Sequence, residues 1–333
     1  MRVLGIETSC DETAVAVVED GLTVLSNLIS SQVDLHSRFG GIVPEVAARA
    51  HIEALDPLLE DALEQAGTDF GGIGAVAATL GPGLVGALLV GLTAGKAIAL
   101  ATGKPFIGVN HLEGHIYANF LEHGPPEPPY VSLIVSGGHT MLVHMKARHD
   151  YEVLGQTLDD AAGEAFDKVA RFLDLGFPGG PALDRLAREG DPNAIRFPRA
   201  MGGSDDFDFS FSGLKTAVMR FVKQERSHGR EPDPANLAAS FQEAVVDVQV
   251  SKTVRAALER EVGTILLGGG VVANTRLREH IREAGEREGL RVLFPSLGLC
   301  TDNAAMIACA GYYRLEAGER TPLDTEADPG LPL

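Results

Sequence analysis

Two histidines in the stretch V-N-H-L-E-G-H-I-Y-A, residues 109–118, have the spacing of a metal-binding pair. His111 and His115 are four positions apart, so a helix presents both imidazoles on one face, where they can chelate a divalent cation. The stretch lacks the zinc-protease pattern H-E-x-x-H, because Glu113 lies about 200° around the helix from His111 and faces away from a metal held there. Histidines that pack or cap the start of a helix give the same spacing, so both interpretations stay open.

A third ligand would complete such a site, and Asp302 in C-T-D-N-A-A-M-I-A-C-A, residues 300–310, is the candidate. It stands where an apolar run begins, and aspartate in that position commonly caps the first turn of a helix. On residue type alone the cap is the favoured interpretation. A zinc deaminase is excluded, because no P-C-x-x-C follows the H-x-E triplet.

Three small-residue turns, each after an apolar strand, could bind phosphate through backbone N–H groups. They are G-I-E-T-S at residues 5–9, V-S-G-G-H at 135–139 and L-G-G-G-V-V-A-N at 267–274. A single turn of this kind is usually only a tight turn, but three in one chain indicate a nucleotide. Neither a P-loop nor G-x-G-x-x-G between a strand and a helix occurs, which argues against those two folds.

Two carboxylates, Asp167 and Asp184, fall on predicted helices after the second of these turns. A carboxylate can accept hydrogen bonds from both hydroxyl groups of a ribose. Most aspartates on helices are simply solvated, so residue type alone leaves this role undecided.

The elements that must position these residues alternate between strand and helix, which indicates an α/β fold. Residues 2–19 and 130–145 each predict a hairpin, with turns about 128 residues apart, so we expect two lobes that each open with a hairpin. Further strands are predicted at residues 105–109, 263–267 and 291–294. Helices are predicted at residues 44–66, 161–174, 182–189, 213–224, 234–260 and 303–314.

The length of 333 residues fits about two domains. We predict an N-terminal lobe over residues 1–123, completed by about 300–318, and a C-terminal lobe over 130–299. The Pro-rich stretch 124–129 is the predicted connector, and residues 319–333 form a polar tail.

An uncharged stretch between Asp69 and Lys96 imitates a membrane span. A Gly-Pro-Gly break at residues 81–83 divides it into a short strand and a helix, neither of which has the roughly 20 apolar residues that a bilayer needs. We therefore predict a buried helix and no membrane partner. Three scattered cysteines are too few for a disulfide framework, so a reducing, cytoplasmic location is expected.

The formal net charge is −18, from 28 Lys and Arg against 46 Asp and Glu. This balance argues against unaided electrostatic capture of nucleic acid. Residues 213–230 are a local exception, with five basic residues and one acidic residue. That stretch is either an RNA contact or a solvated helix face, and the sequence slightly favours the second.

Seven motifs together resemble the TsaD family of tRNA adenosine threonylcarbamoyltransferases, in its bacterial branch. They occur in the family's order over about residues 2–315: G-I-E-T-S-C-D-E-T, N-H-L-E-G-H, S-G-G-H-T, G-E-A-F-D-K-V-A-R, D-F-S-F-S-G-L-K-T, G-G-G-V-V-A-N and C-T-D-N-A-A-M. The resemblance implies the two-lobed α/β fold of actin, Hsp70 and sugar kinases (ASKHA), with the active site in the cleft between the lobes. In that fold each lobe contributes one phosphate-facing hairpin.

The resemblance also implies the residues of the site. One divalent metal, iron(II) in first place with zinc or magnesium as alternatives, would be bound by His111, His115 and Asp302. The ligand would be threonylcarbamoyl-adenylate or an ATP-like nucleotide. Its phosphate and acyl end would contact Val135, Ser136, Gly137, Gly138 and His139. Its nucleoside would contact Asp167, Gly180, Asp184 and Asn274.

The implied reaction moves the threonylcarbamoyl group to the exocyclic amine of adenosine 37, in tRNAs that read codons beginning with A, and releases AMP. Asp11 and Glu12, in the first hairpin turn, are candidates for the base that removes the amine proton, and a merely polar hairpin tip is the alternative. The implied partners are tRNA, an inactive paralogue (TsaB), a small ATPase (TsaE) and a separate synthase of the adenylate.

Other classes of protein remain as alternatives. A sugar or acetate kinase of the same fold would need three phosphate turns but has no use for His111 and His115. A nucleotide-binding ATPase would form no transfer product. A metalloprotease would need a glutamate adjacent to His111, and Leu112 stands there instead.

Overall fold

A computed structural model describes all residues of the chain, 1–333, and these divide into two units. Unit 1 consists of residues 1–126 and 295–333, and unit 2 of residues 127–294. Each unit is built around its own five-stranded sheet.

The first stretch of unit 1 contains five strands and five helices. The strands are β1 (Arg2–Glu7), β2 (Glu12–Glu19), β3 (Thr23–Ser31), β4 (Ala75–Gly81) and β5 (Phe106–Asn110). The helices are α1 (Val33–Ser37), α2 (Pro44–Gln65), α3 (Val85–Thr102), α4 (His111–Tyr117) and α5 (Phe120–His123).

Unit 2 also contains five strands and five helices. The strands are β6 (Tyr130–Val135), β7 (Thr140–Ala147), β8 (Asp150–Gln156), β9 (Thr264–Gly268) and β10 (Arg291–Leu293). The helices are α6 (Ala162–Phe172), α7 (Gly179–Ala187), α8 (Ser212–Ser227), α9 (Pro234–Glu259) and α10 (Thr275–Glu288). The chain then returns to unit 1 with α11 (Leu297–Cys300) and α12 (Ala304–Glu316).

The two sheets have the same topology. Their strand orders are β3-β2-β1-β4-β5 and β8-β7-β6-β9-β10. In each sheet the first three strands pair antiparallel and the last two join in parallel. The predicted hairpins are present as β1–β2 and β6–β7. Strands β3 and β8 were not predicted, because they are edge strands with largely exposed side chains and lack a clear apolar pattern.

The core of unit 1 forms on both faces of β1, which is typical of a strand with a continuous apolar run. Leu4 and Ile6 join a cluster with buried side chains of α2 and α3. Between them, Gly5 faces the opposite side, where α12 packs. A Cβ at Gly5 would lie 2.3 Å from the carbonyl oxygen of Ala304, so this glycine allows α12 to begin directly against the sheet.

Helix α3 is the helix predicted after the Gly-Pro-Gly break, and Lys96 is its only charged residue. It has 18 residues with a mean hydropathy of 1.7, so its length and composition would allow it to cross a membrane. It packs on β4 and α2 through one face, and a third of it is buried. The other face leaves Val85, Leu89 and Leu100 exposed.

The segment 319–333 has no helix or strand but runs along β5 and the end of β4. Thr321 exchanges hydrogen bonds with this edge: its N–H donates to Phe106 O at 2.9 Å, and its Oγ1 accepts from Gly108 N at 2.7 Å. Asn110 Nδ2 donates to the carbonyl oxygen of Pro332 at 2.9 Å. The segment therefore contacts the residue that immediately precedes α4.

Candidate functional site

The start of α4 places the two predicted histidines side by side. Asn110 ends β5 and caps the helix, because its Oδ1 accepts hydrogen bonds from Leu112 N at 2.8 Å and Glu113 N at 3.4 Å. His111 is thus the first helical residue and His115 lies one turn further on. Their ring centroids are 4.7 Å apart, and both side chains are buried.

The start of α12 brings Asp302 to these histidines. The cap of this helix is Asn303, whose Oδ1 accepts a hydrogen bond from Met306 N at 3.1 Å. The favoured interpretation of Asp302 as the cap is therefore wrong, and its carboxylate is left for another role. Asp302 Oδ1 lies 3.5 Å from His111 Nε2 and 3.3 Å from His115 Nε2.

Glu113 points away from this cluster, as its position on the helix predicts. Its buried carboxylate accepts a hydrogen bond from Arg314 Nε of α12 at 2.5 Å. This ion pair ties α4 to the helix that follows Asp302, so it stabilises the relative position of the three candidate ligands.

The three side chains fit a divalent metal. Their ligand atoms lie within 4.8 Å of one another. Neither buried ring nitrogen of His115 makes a hydrogen bond of good geometry, although Nε2 lies 3.3 Å from Asp302 Oδ1, and such atoms are costly to bury unless another group satisfies them. Two imidazoles and one carboxylate are a donor set that suits iron and zinc in particular.

A buried carboxylate at the end of β1 orients His111. Glu7 Oε2 lies 2.9 Å from His111 Nδ1, and the same carboxylate accepts hydrogen bonds from Thr79 Oγ1 at 2.6 Å and Ser9 N at 2.5 Å. With the Nδ1 proton directed at Glu7, Nε2 of His111 is the nitrogen that faces Asp302. The sequence analysis missed Glu7, although a charged residue at the end of an apolar strand was a visible signal.

Charge and burial act in opposite directions on this cluster. Burial alone would lower the pKa of His111, but the carboxylates of Asp302 and Glu7 outweigh it and raise that pKa to about 9. Burial would raise the pKa of Glu7, and the charge and hydrogen bond of His111 lower it instead. For His115 burial dominates, so its pKa is lowered and its neutral, ligating form is favoured.

Of the two candidate bases, Asp11 lies in the turn between β1 and β2, and Glu12 is the first residue of β2. The turn is fixed by His51 of α2, whose Nε2 lies 3.0 Å from Cys10 O and whose Nδ1 lies 2.8 Å from Thr13 Oγ1. Burial and the charge of Asp302 raise the pKa of Asp11. Burial likewise raises the pKa of Glu12 to about 7. Glu12 Oε1 accepts a hydrogen bond from Ser31, whereas its Oε2 is buried without a partner.

In unit 2 the turn between β6 and β7 exposes backbone donors. Ser136 N donates to His139 O at 2.8 Å and His139 N donates to Ser136 Oγ at 3.1 Å, which closes the turn after Val135. The N–H groups of Gly137 and Gly138 donate no hydrogen bond within the chain. A Cβ at either glycine would meet nothing within 4 Å, so the space beside both is open.

Two of the residues predicted to contact the nucleoside already make hydrogen bonds within the chain. Asp167 Oδ1 accepts hydrogen bonds from Gly179 N at 2.8 Å and Gly180 N at 3.3 Å, at the start of α7. Asn274 caps α10 through Leu277 N, and its Nδ2 donates to Gln242 Oε1 at 2.8 Å.

Asp184 differs from them because one of its oxygens is unused. Its Oδ2 accepts hydrogen bonds from Arg188 at 2.7 Å and from Thr275 Oγ1 at 3.1 Å, next to Asn274. Its Oδ1 is buried and has no partner. An unsatisfied carboxylate oxygen of this kind can accept a hydroxyl group of a bound ligand.

A second group of possible metal ligands, Glu243, Asp247 and His280, lies in unit 2. Both of its carboxylates already pair with guanidinium groups, Glu243 with Arg276 at 2.6 Å and Asp247 with Arg199 at 2.6 Å. A cation there would have to displace these arginines, so this group does not resemble the cluster at α4.

The fold, two α/β units with five-stranded mixed sheets of the same topology, agrees with the fold that the sequence resemblance implies. Among solved structures, HypF from T. kodakarensis has a TM-score of 0.67 at 14% identity, over 95% of this chain and 48% of that chain. A similarity this distant shows the fold alone.

The sequence comparisons are more specific. A family model described as tRNA N6-adenosine threonylcarbamoyltransferase (TsaD) matches residues 23–309. The chain is 53% identical to the tRNA N6-adenosine threonylcarbamoyltransferase of Clostridium perfringens (strain SM101), over 99% of this chain and 98% of that protein. It is 52% identical to the protein of the same name from Clostridium botulinum (strain Hall), over 100% of this chain and 98% of that protein. The chain belongs to the TsaD family, and it is a transferase of tRNA modification.

Proposed function

We propose that this chain transfers the threonylcarbamoyl group from threonylcarbamoyl-adenylate to the exocyclic amine of adenosine 37, in tRNAs that read codons beginning with A. Family membership supports the reaction. Within the chain, the single observation that carries the proposal is the cluster of the buried His111 and His115 with the half-buried Asp302. A phosphotransferase of the same fold has no need for such a cluster.

The transfer exchanges one bond for another at the carbamoyl carbon. The adenine amine forms a C–N bond to this carbon, the C–O bond to the phosphate of AMP breaks, and the amine loses one proton. The amine is a poor nucleophile because its lone pair is delocalised into the purine ring. The site must therefore activate the acyl group, stabilise the leaving phosphate and accept the proton.

In unit 1, His111 Nε2, His115 Nε2 and Asp302 would hold one divalent metal, for which we propose iron(II), with zinc or magnesium as alternatives. When bound, such a metal supplies Lewis-acid polarisation of an acyl oxygen. Glu7 fixes the orientation and tautomer of His111 through the 2.9 Å contact to Nδ1.

Glu12 is the proposed general base, with Asp11 as its neighbour. A base works best when its pKa lies near the working pH, and burial raises the pKa of Glu12 to about 7. Its Oε2 has no hydrogen-bond partner and is therefore the atom that would accept the amine proton.

In unit 2, the proposed donor site uses backbone and carboxylate groups. The N–H groups of Gly137 and Gly138, between Val135–Ser136 and His139, would donate to the phosphate of the adenylate as it leaves. Asp184 Oδ1 would accept a ribose hydroxyl. Nearby nucleoside contacts are proposed for Asp167, Gly180 and Asn274.

Partner proteins are also part of the proposal. Val85, Leu89 and Leu100 share one face of α3, and their exposed fractions are 55%, 49% and 71%. Exposed apolar side chains aligned on one helix face support docking of a partner on unit 1, and we propose the inactive paralogue TsaB. The ATPase TsaE and a separate synthase that supplies the adenylate complete the proposed cytoplasmic system.

The test is mass spectrometry of unmodified tRNA after incubation with the chain, its partner proteins and preformed threonylcarbamoyl-adenylate. We expect a threonylcarbamoyl adduct on adenosine 37 with the unaltered chain and none with His111→Ala. Absence of the adduct with all components active would overturn the proposal. Phosphorylation of a small molecule by ATP, unaffected by a chelator, would favour a kinase instead.

A further inference from the structure

Helix α8 has a charge opposite to that of the chain as a whole. Its 16 residues, S-G-L-K-T-A-V-M-R-F-V-K-Q-E-R-S, contain four basic residues and one acidic residue, a net charge of +3 in a chain of −18. Leu214, Val218 and Val222 form its buried face. Arg220 and Lys223 therefore lie on the exposed side of the helix, and Lys215 lies half-buried at the edge of the packed face.

The basic residues around α8 fall into two groups. Arg226 pairs with Glu231 and the adjacent Arg230 pairs with Glu225, both at 2.6 Å. In contrast, Lys215, Arg220 and Lys223 make no ion pair and no side-chain hydrogen bond, and none of the three is buried. We call these three residues the unpaired basic face of α8.

The geometry of this face suits a nucleic-acid strand. The three residues span about 140° of the helix circumference and about 12 Å along its axis. That length lets the three side chains contact different phosphates of one strand. Long, unpaired cationic side chains can reach successive phosphates without first breaking an ion pair.

The start of α8 is held firmly against the elements of the proposed donor site. Asp159 accepts hydrogen bonds from Ser210 Oγ and Ser212 Oγ, both at 2.6 Å, and from the N–H groups of Phe211 and Ser212. Three residues after Asp159, Ala162 N donates to Thr140 Oγ1 at 2.9 Å, directly after the turn at Gly137 and Gly138. A strand bound on α8 would therefore have a fixed position relative to that turn.

We propose that the unpaired basic face of α8, formed by Lys215, Arg220 and Lys223, binds the phosphate backbone of the tRNA substrate. The proposal rests on the proposed function, in which tRNA is the acceptor. A polyanion is the occupant that charge complementarity selects, because an acidic chain repels it over most other surfaces. This face provides few contacts, so binding by the chain alone will be weak and salt-dependent.

The test compares two triple variants that change the net charge equally. K215E/R220E/K223E removes the unpaired basic face, and R38E/R49E/K104E reverses three cations in unit 1. Binding of unmodified tRNA is titrated over a range of salt concentrations. We expect the α8 variant to bind tRNA about tenfold more weakly. The slope of log affinity against log salt is negative, and its magnitude should fall by about two. The unit 1 variant should leave both the affinity for tRNA and this slope nearly unchanged.

Several results would overturn the proposal. These are no measurable tRNA binding by the unaltered chain at low salt, equal affinity and slope for the α8 variant, or equal losses in both variants. If the α8 variant still bound tRNA but no longer bound an acidic protein, the face would be assigned to a protein partner instead. Circular dichroism and thermal unfolding check that the exposed substitutions leave the fold intact.

Failure of this inference is distinguishable from failure of the proposed function. In the first case the unaltered chain still forms the threonylcarbamoyl adduct, and the α8 variant forms it with an unchanged KM for tRNA. In the second case the unaltered chain forms no adduct, whatever the variants bind.

Discussion

The two units present opposite kinds of site on sheets of the same topology. In unit 1 the site consists of buried and half-buried side chains whose positions are fixed by further contacts. Glu7 contacts His111, Asn110 caps the start of α4, and Arg314 pairs with Glu113. In unit 2 the turn at Gly137 and Gly138 offers unpaired backbone N–H groups beside open space. One site is built before any ligand arrives, and the other is left accessible.

This difference indicates how the work of the reaction is divided. A resident ion needs ligands whose orientation does not change between turnovers, and packing in unit 1 provides that. An acyl-adenylate must enter and its AMP must leave, so its phosphate is best met by backbone donors in an open turn. Substitutions at the metal ligands of unit 1 and their supports should therefore affect metal content, and those in the turn at Gly137 and Gly138 of unit 2 should affect binding of the donor.

The largest effect is expected from His115→Ala. Loss of a fully buried ligand should reduce the bound metal per chain to background and lower single-turnover transfer by at least about 10³-fold. Elemental analysis and mass spectrometry of tRNA measure the two quantities. His280→Ala is the matched control, because this histidine belongs to the arginine-paired group of unit 2. Equal metal content in both variants would contradict the assignment.

Glu12→Gln should lower the transfer rate by about 10²-fold while the metal stays bound. A base must be ionised to accept a proton, and the pKa of Glu12 in the fold is about 7. The unaltered chain should therefore gain rate as the pH rises through about 7 and reach a plateau above it. The variant should lose this rise. A pH profile of single-turnover transfer measures it, and an identical profile in the variant would shift the role to another group.

Glu7→Gln should lower the affinity for the metal by about 10- to 100-fold, because a carboxamide no longer fixes the proton on His111 Nδ1 as a carboxylate does. A competition titration with a chelator, and the absorption spectrum of the cobalt(II)-loaded chain, measure affinity and ligand geometry. Thr79→Val removes only one hydrogen bond from Glu7 and should have a smaller effect. Metal affinity unchanged in Glu7→Gln, or lowered more in Thr79→Val, would show that Glu7 does not position His111.

The sequence predicts the parts of these sites that depend on local spacing. The i, i+4 relation of His111 and His115 and the two hairpins are properties of short segments, and the structure contains both. Asp302 could not be separated from a helix cap by residue type, because only the main-chain path shows that Asn303 is the cap. Glu7 and Thr79 come together through the parallel pairing of β1 with β4, which no local pattern encodes. The contact of the 319–333 segment with Asn110 is equally long-range.

The smallest effects come from one chemical change made in both units, glycine to alanine. In Gly5→Ala the new Cβ would lie 2.3 Å from Ala304 O, a main-chain atom two residues after Asp302, so α12 must shift. We expect a loss of about 1–3 kcal/mol in the free energy of unfolding, together with weaker metal binding. In Gly138→Ala the Cβ meets nothing within 4 Å, so stability and metal content should stay unchanged.

A bound donor would nevertheless meet the Gly138→Ala methyl group, and the KM for threonylcarbamoyl-adenylate should rise by about tenfold, the equivalent of roughly 1.4 kcal/mol. Thermal unfolding, metal analysis and transfer kinetics on the two variants measure stability, metal content and the KM. Two results would contradict the assignment of metal binding to unit 1 and donor binding to unit 2. They are a loss of metal in Gly138→Ala and a change in only the KM of the donor in Gly5→Ala. The pair is informative because the same added methyl group separates the cost of disturbed packing from the cost of a blocked ligand.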